Sequence, residues 1–259
     1  MKKILSKIIA TGLILTMGLA FASCSSKKSI TVQKGKLIMA TNAYFQPYEY
    51  YEGNKIVGID AEIAEAIAKK LGLELEIQDV EFASIIAGVQ SGKYDMGMAG
   101  MTVTDERKQS VNFSKTYATG IQAIIVKEGS PVTDIDTLLS GEYSIGVQTG
   151  TTGDIYISDD LGEDNADKVV RFSKGNDAVI ALSSDKIDAV VIDNEPAKNF
   201  VAANSGLKIL ETPYSVEDYA ICFNKNNTEL RDEVDKALQE LTDDGTIPAI
   251  IEKYIPSEG

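Results

Sequence analysis

The stretch best equipped for chemistry is Gly97-Met98-Ala99-Gly100-Met101-Thr102-Val103-Thr104-Asp105-Glu106-Arg107-Lys108. Gly97 and Gly100 expose backbone at the end of a strand predicted from Tyr94 to Met98, and Thr102 and Thr104 add hydroxyls. Thr104 and Asp105 can cap a short helix whose first turn carries Arg107. Free N–H groups at a helix start, next to a guanidinium, suit a carboxylate. Arg offers two parallel hydrogen bonds that Lys cannot. Thr-Asp-x-Arg also opens ordinary helices, so this stretch alone leaves both readings open.

Two further places carry matching chemistry. Gln148-Thr149-Gly150-Thr151-Thr152 lies between a predicted strand, Tyr143 to Val147, and a helix running to about Ser158. Its backbone N–H groups can face an anion, and the plain alternative is a turn with a Thr cap. It is not a phosphate loop, because the Lys-Ser/Thr pair of that motif is missing. Asp193 ends the apolar run Val190-Val191-Ile192. It can bind an ammonium through a charge-assisted bond, or it can cap the helix that Pro196 opens.

The elements that must position these groups read as two similar halves. In the first, Lys36–Thr41 is a strand and Asn42 to Tyr50 an aromatic loop broken by Pro47. Gly53 and Asn54 turn the chain. Asp60 caps a helix to Leu71 that Gly72 closes, Leu73 to Ile77 is a strand, and Phe82 to Gln90 a second helix. With the strand at Tyr94 this is β-α-β-α-β, which implies a parallel sheet with right-handed crossovers. Ligands gather at the carboxyl ends of such strands, where the aromatic loop and the Thr102 stretch both start. A strand from Ile121 to Val126 follows Asn112–Tyr117. The pattern then repeats from Ile135, and helices Thr228–Asp243 and Ile247–Tyr254 end the chain.

Composition excludes several classes. The net charge is −14, more negative still without Lys2, Lys3 and Lys7 of the leader, and such a surface repels nucleic acid. There is no His and there are two Cys, so a Ser-His-Asp triad and a structural zinc site lack their residues. Cys222 sits in the apolar strand Tyr219–Phe223 and reads as buried filler. Residues 1–23 have a basic start and an apolar stretch, Ile8 to Ala22, too short for a membrane span, so they read as a cleaved signal. Phe21-Ala22-Ser23-Cys24 resembles a lipobox with Phe in the usual Leu position, which makes Cys24 the expected lipidated N-terminus. Residues 24–35 then form a polar, flexible tether.

The run Ala99-Gly-Met-Thr-Val-Thr-Asp-Glu-Arg-Lys-Gln-Ser-Val-Asn-Phe-Ser114 resembles the first-lobe signature of polar amino acid-binding proteins of ABC importers (family 3 extracellular solute-binding proteins). It is most similar to glutamine-, histidine- and lysine/arginine-binding members, and the likeness runs from about Leu37 to Tyr254. It implies an α/β, periplasmic-binding-protein-like (type II) fold, with two α/β lobes joined by a two-strand hinge and the ligand cleft between them. Lobe one is expected at 36–119 and 220–259 and lobe two at 120–219, with crossings near Tyr117–Ile121 and Glu217–Ile221. Arg107, with Thr151 and Thr152, is expected to hold the ligand carboxylate. Asp193, the Gly100 carbonyl and the Thr102 hydroxyl are expected to hold the ammonium. Phe45 and Phe82 match positions that sandwich the ligand side chain, although for Phe82 taken alone ordinary core packing is the better reading. Asn42 and Gln148 match positions that read the distal group. Family members for basic ligands carry an acid where Asn42 stands, and the glutamine type carries Lys where Gln148 stands. Two neutral amides therefore favour a neutral polar ligand such as glutamine or cystine, with basic amino acids still open through Glu49 or Asp154.

The implied partners are an amino acid ligand, the membrane permease and indirectly its ATPase, for a lipid-anchored monomer without cofactor, metal or enzymatic activity. Two other classes share the resemblance. A cyclohexadienyl dehydratase needs a general acid in the cleft, and only Glu195 or Glu49 could serve. A sensory ectodomain is the other.

Overall fold

The computed structural model describes residues 29–210 and 214–256. The predicted signal, Cys24 and the first part of the tether lie outside these residues. The end of the tether is tied to the body rather than free. The Val32 N–H donates to Asp95 at 2.6 Å, and the Ile30 carbonyl accepts from Asn227 at 2.8 Å.

β1 (Lys36–Thr41) is buried from Leu37 onward, as a strand covered on both faces must be. The predicted aromatic loop folds instead as an antiparallel meander of β2 (Tyr44–Phe45), β3 (Glu49–Glu52) and β4 (Lys55–Val57), with a cis Gln46–Pro47 bond between the first two. α1 (Ile59–Leu71) buries Ile59, Ile63 and Ile67 and ends on Gly72 in the left-handed conformation. Gly58, not Asp60, takes its N-cap position. The backbone there has φ +122° and a Cβ would stand 2.3 Å from the Tyr48 carbonyl oxygen. Asp60 instead turns inward from the first helical turn and is fully buried.

β5 (Glu74–Asp79) leads through a single 3-10 turn, Phe82–Ser84, into α2 (Ile85–Gln90), so the predicted second helix opens with a tighter turn. β6 (Met96–Gly97) completes a parallel group in the order β5-β1-β6. After α3 (Asp105–Ser110) comes β7 (Val111–Lys127), one 17-residue strand where the sequence predicts a connecting segment and a shorter strand. Gly120 marks no break. It leaves room for a neighbour, since a Cβ there would lie 2.0 Å from the Tyr219 hydroxyl.

The second half contains α4 (Ile135–Ser140), β8 (Ile145–Gln148), α5 (Thr152–Leu161), β9 (Val169–Phe172), α6 (Gly175–Ser183), β10 (Ala189–Asp193), α7 (Asn194–Ala203) and β11 (Leu207–Ile209). A 3-10 segment over Glu163–Lys168 has no counterpart in the sequence reading. β12 (Ser215–Asn224) then returns to the first half, where α8 (Thr228–Asp243) and α9 (Thr246–Tyr254) pack.

β7 and β12 run antiparallel and link the two halves into one sheet of order β5-β1-β6-β12-β7-β10-β8-β9, with β11 on β7. Glu217 pairs with Gly120 and Tyr219 with Ala118, so the two connections lie side by side in the middle of the sheet. This is the two-lobed, two-strand-hinge architecture. Leu230, Val234 and Leu238 of α8 pack with Ile63 and Ile67 of α1, while Ile145, Val147, Ile157 and Val191 form a separate core in the second half. The carboxyl ends of β1 and β6 therefore face those of β8 and β10 across a cleft.

Candidate functional site

From the first half, the chain leaves β6 through Met98 to Met101 and enters α3, capped by the Thr104 hydroxyl, which accepts from the Arg107 N–H at 3.1 Å. The cap fixes the turn from which the Arg107 side chain reaches into the cleft. Its guanidinium donates to the Thr102 carbonyl at 2.7 Å and, across the cleft, to the Gly150 carbonyl at 3.0 Å. It lies 5.4 Å over the Phe82 ring. Burial pulls its pKa below the ordinary value, with Glu217 opposing most strongly. An arginine so placed stays cationic.

In the second half, Gly150 (φ +76°) turns the chain from β8 into α5. The Thr151 hydroxyl caps α5 and donates to the Gln148 carbonyl at 2.8 Å. Part of the expected anion cradle is used inside the loop: the Gly150 N–H donates to Asp154 at 2.9 Å and the Thr151 N–H to Gln148 at 3.2 Å. The Thr152 N–H, in the first turn, has no acceptor within the helix. The Thr152 hydroxyl lies 3.4 Å from that of Thr102. Asp154 serves its own loop and Arg171, 2.9 Å away, so it offers nothing to a cation in the cleft.

Asp193 ends β10 pointing into the cleft, and its side chain makes no capping bond to α7, so of its two sequence readings the cap is not the one seen. The Tyr219 hydroxyl donates to it. Burial, and then the nearby Glu217, push its carboxyl well above the ordinary range, against the pull of Gln122 and Arg107. Glu217 accepts from the Thr102 hydroxyl and the Gln122 amide, both at 3.0 Å. Neither Glu217 nor Gln122 stands out in sequence, although a Gln inside the apolar run Ile121–Val126 is the one available signal.

At the far end of the cleft, the Asn42 amide donates to the Val80 carbonyl at 2.8 Å. Gln148 donates to Asn42 Oδ1 at 2.9 Å and to the Ser173 carbonyl at 3.2 Å. These oxygen partners orient both amides and take both N–H groups of Gln148 and one of Asn42, so this wall keeps the Gln148 Oε1, the second lone pair of Asn42 Oδ1 and a single Asn42 N–H. Phe45 is buried and Phe82 half-buried against the same space.

All ten residues singled out for ligand contact line one cavity, joined there by Ala99 and Glu49. Glu195 does not line it and pairs with Lys198 at 2.7 Å. The walls stand close together around about 310 Å³ of atom-free space, bridged by the Arg107–Gly150 and Gln148–Asn42 hydrogen bonds. Among the described residues, no cluster of His, Cys, Asp and Glu is arranged to hold a metal, and no helix is long and apolar enough to cross a membrane.

Two α/β lobes on a paired-strand hinge, with a charged cleft between them, define a solute-binding fold. Residues 37–257 match the bacterial extracellular solute-binding proteins, family 3, and the chain belongs to that family. It is 35% identical to the arginine-binding extracellular protein ArtP of Bacillus subtilis (strain 168), over 92% of this chain and 94% of that one. An ancestral arginine-binding protein bound to arginine superposes with a TM-score of 0.81 at 39% identity, covering 86% of this chain and 99% of its own. The arginine-, lysine-, histidine-binding protein ArtJ of Geobacillus stearothermophilus gives 0.81 at 36%, covering 86% and 96%. These relatives are binding proteins.

Proposed function

We propose that this chain is the ligand-capturing subunit of an ABC importer for a polar L-amino acid, and that the amino acid is basic, with arginine the first choice. One observation carries the reading: a buried guanidinium from the first half and a buried carboxyl from the second face the same cavity. Arg107 with the Thr151–Thr152 turn takes the carboxylate. Asp193, the Gly100 carbonyl and the Thr102 hydroxyl take the ammonium. Phe45 and Phe82 flank the side chain.

The preference for a basic ligand rests on the distal wall. By charge alone, Asn42 and Gln148 favour a neutral ligand. With three of their four N–H groups spent on other oxygens, what remains is mostly acceptor oxygen, which suits a donor-rich guanidinium. The buried acids Asp193, Glu217 and Asp60 outnumber the single basic side chain on the cavity wall, Arg107, so a cationic ligand also improves the charge balance. The arginine-binding relatives agree.

Lobe one comprises 36–119 and 220–259 and lobe two 120–219. The chain acts as a monomer, catalyses nothing, takes no cofactor, hands its ligand to a membrane permease and is held to the membrane by a lipid on Cys24. The test is a thermal-shift screen with the twenty amino acids, cystine, ornithine and citrulline, followed by calorimetry. Arginine is expected to raise the melting point most, because binding to the native state stabilises by mass action. No response to any of them overturns the reading. Turnover of prephenate or arogenate decides for an enzyme instead.

A further inference from the structure

Glu49 belongs to the cavity wall yet has no place in the assignment above. It is 1% exposed, and its Oε2 meets no donor from any other group. Asp60 is 0% exposed, and its Oδ1 is likewise without a donor. The two carboxyl groups lie within hydrogen-bonding reach of each other. Two carboxylate oxygens can bond only if one carries a proton, and two buried negative charges at that range repel strongly.

The other oxygen of Asp60 is well supplied. It accepts from the Gly100 N–H at 2.9 Å and from the Tyr117 hydroxyl at 2.9 Å. Donors to Asp60 favour its ionised form, whereas Glu49 has nothing comparable. The proton therefore belongs on Glu49. The other titratable groups that act on Glu49 are acids, Asp193 at the end of β10 and Asp79 of β5, and both disfavour a second charge there. Tyr117 of β7 and Tyr48 beside it are neutral phenols that burial pushes further from ionisation.

Gly100 is held tightly between these groups. Its φ is +51°, and a Cβ there would stand 2.8 Å from the Phe45 ring. Asp60 fixes its N–H on one side, Phe45 bounds it on the other, and its carbonyl is the group assigned to the ligand ammonium.

We propose that Glu49 and Asp60 share one proton, carried on Glu49, and that this pair is the positioning device that aims the Gly100 carbonyl and keeps Glu49 uncharged beside the ligand. The inference rests on the amino acid-binding reading for its purpose, but its physical content is present without ligand. The pair joins β3, α1, the hinge strand β7 and the Gly100 turn. Loss of the proton sets two like charges together and loosens the turn. A second proton takes the charge off Asp60 and weakens its hold on the Gly100 N–H.

Three measurements on the full chain test this. In the ligand-free protein at neutral pH, the infrared difference spectrum between wild type and Glu49→Gln shows a carboxylic-acid carbonyl stretch from Glu49. A carboxylate signal in its place overturns the proposal, whatever the ligand proves to be. Glu49→Gln, which keeps a donor toward Asp60, binds arginine within about fivefold of wild type, whereas Glu49→Ala loses about fiftyfold through the lost hydrogen bond to a charged group. If Glu49→Gln instead loses about a hundredfold for arginine and nothing for glutamine, Glu49 is an ionised counter-charge to the ligand side chain and the shared proton is wrong. As pH rises, the ligand's own ammonium weakens binding in both proteins. Wild type carries an additional loss from the second ionisation of the pair that Glu49→Gln lacks, and superimposable profiles overturn the proposal.

Discussion

Replacing Arg107 separates the binding reading from a purely structural one. The guanidinium has five N–H donors. One bond goes to the Thr102 carbonyl at 2.7 Å and one to the Gly150 carbonyl at 3.0 Å, so donors remain for a carboxylate entering the cleft. Two charge-assisted bonds to that carboxylate contribute roughly 1.5–3 kcal/mol each, about 3–6 kcal/mol together. Arg107→Ala should therefore weaken arginine binding by roughly 10²- to 10⁴-fold. Arg107→Lys keeps the charge and loses the fork, and should fall between the two. Calorimetry gives the affinity, and thermal melting without ligand gives the structural cost, because the variant also loses the contact to Gly150. A large affinity loss with a small change in the ligand-free melting point is expected. Arg107→Ala binding within about threefold of wild type refutes the carboxylate assignment.

Asp193 must be ionised to hold an ammonium, and burial with Glu217 holds its carboxyl above the ordinary range. Affinity should fall as pH is lowered through that raised range. Binding at neutral pH should release protons, seen as a calorimetric enthalpy that varies with the buffer, and Asp193→Asn should abolish that release. Asp60 is pushed up to about 6 from 3.8, mainly by burial. The folded state therefore holds that proton more tightly than the unfolded chain. Its stabilising contribution is full below about pH 4 and is lost as pH rises through about 6. Urea unfolding of Asp60→Asn should gain about 3 kcal/mol relative to wild type between those limits, and parallel curves refute the shift. Gly120→Ala places a methyl against the Tyr219 hydroxyl and pulls it off Asp193. It should destabilise by about 1–3 kcal/mol and weaken arginine binding, and a neutral result refutes the close approach.

Much of the lobe architecture was legible because its signals are local. β1, β9 and α8 fall where the alternation and the four-residue spacing of apolar side chains put them, and Gly72 stops α1 by a conformation only Gly takes easily. What was not legible depends on neighbours distant in sequence. Asp60 looks like a cap because Asp before an apolar helix usually is one. Its burial becomes visible only when Gly100, Tyr117 and Glu49 arrive from three other elements. Gly120 carries no signal of its own in the sequence, and only Tyr219, 99 positions later in the numbering, explains it as clearance. Asp154 and Gly150 pair within one turn, which withdraws both an N–H and a carboxylate that the sequence leaves free for a ligand. The cavity residues converged because the motif that carries them sits at strand ends, where the topology itself brings them together.

The cleft also explains how closure can be poised rather than driven by ligand alone. Arg107 to Gly150 at 3.0 Å, Gln148 to Asn42 at 2.9 Å and Asn199 to the Gln46 carbonyl at 3.1 Å all cross between the halves. Lys174 lies 3.6 Å over the Tyr44 ring in a fourth crossing contact. Moving an open–closed balance from one extreme to the other takes about 5.5 kcal/mol of differential affinity. Each neutral bond across the cleft contributes about 0.5–1.5 kcal/mol to the closed side without any ligand. On the proposed assignment, the zwitterion then has to supply only the remainder, through Arg107 on one wall and Asp193 on the other. Weakening a crossing contact that touches no ligand, as Asn199→Ala does, should lower affinity by about two- to tenfold while leaving the preference among amino acids unchanged. A changed preference would mean that Asn199 belongs to the recognition surface and that closure draws its energy from elsewhere.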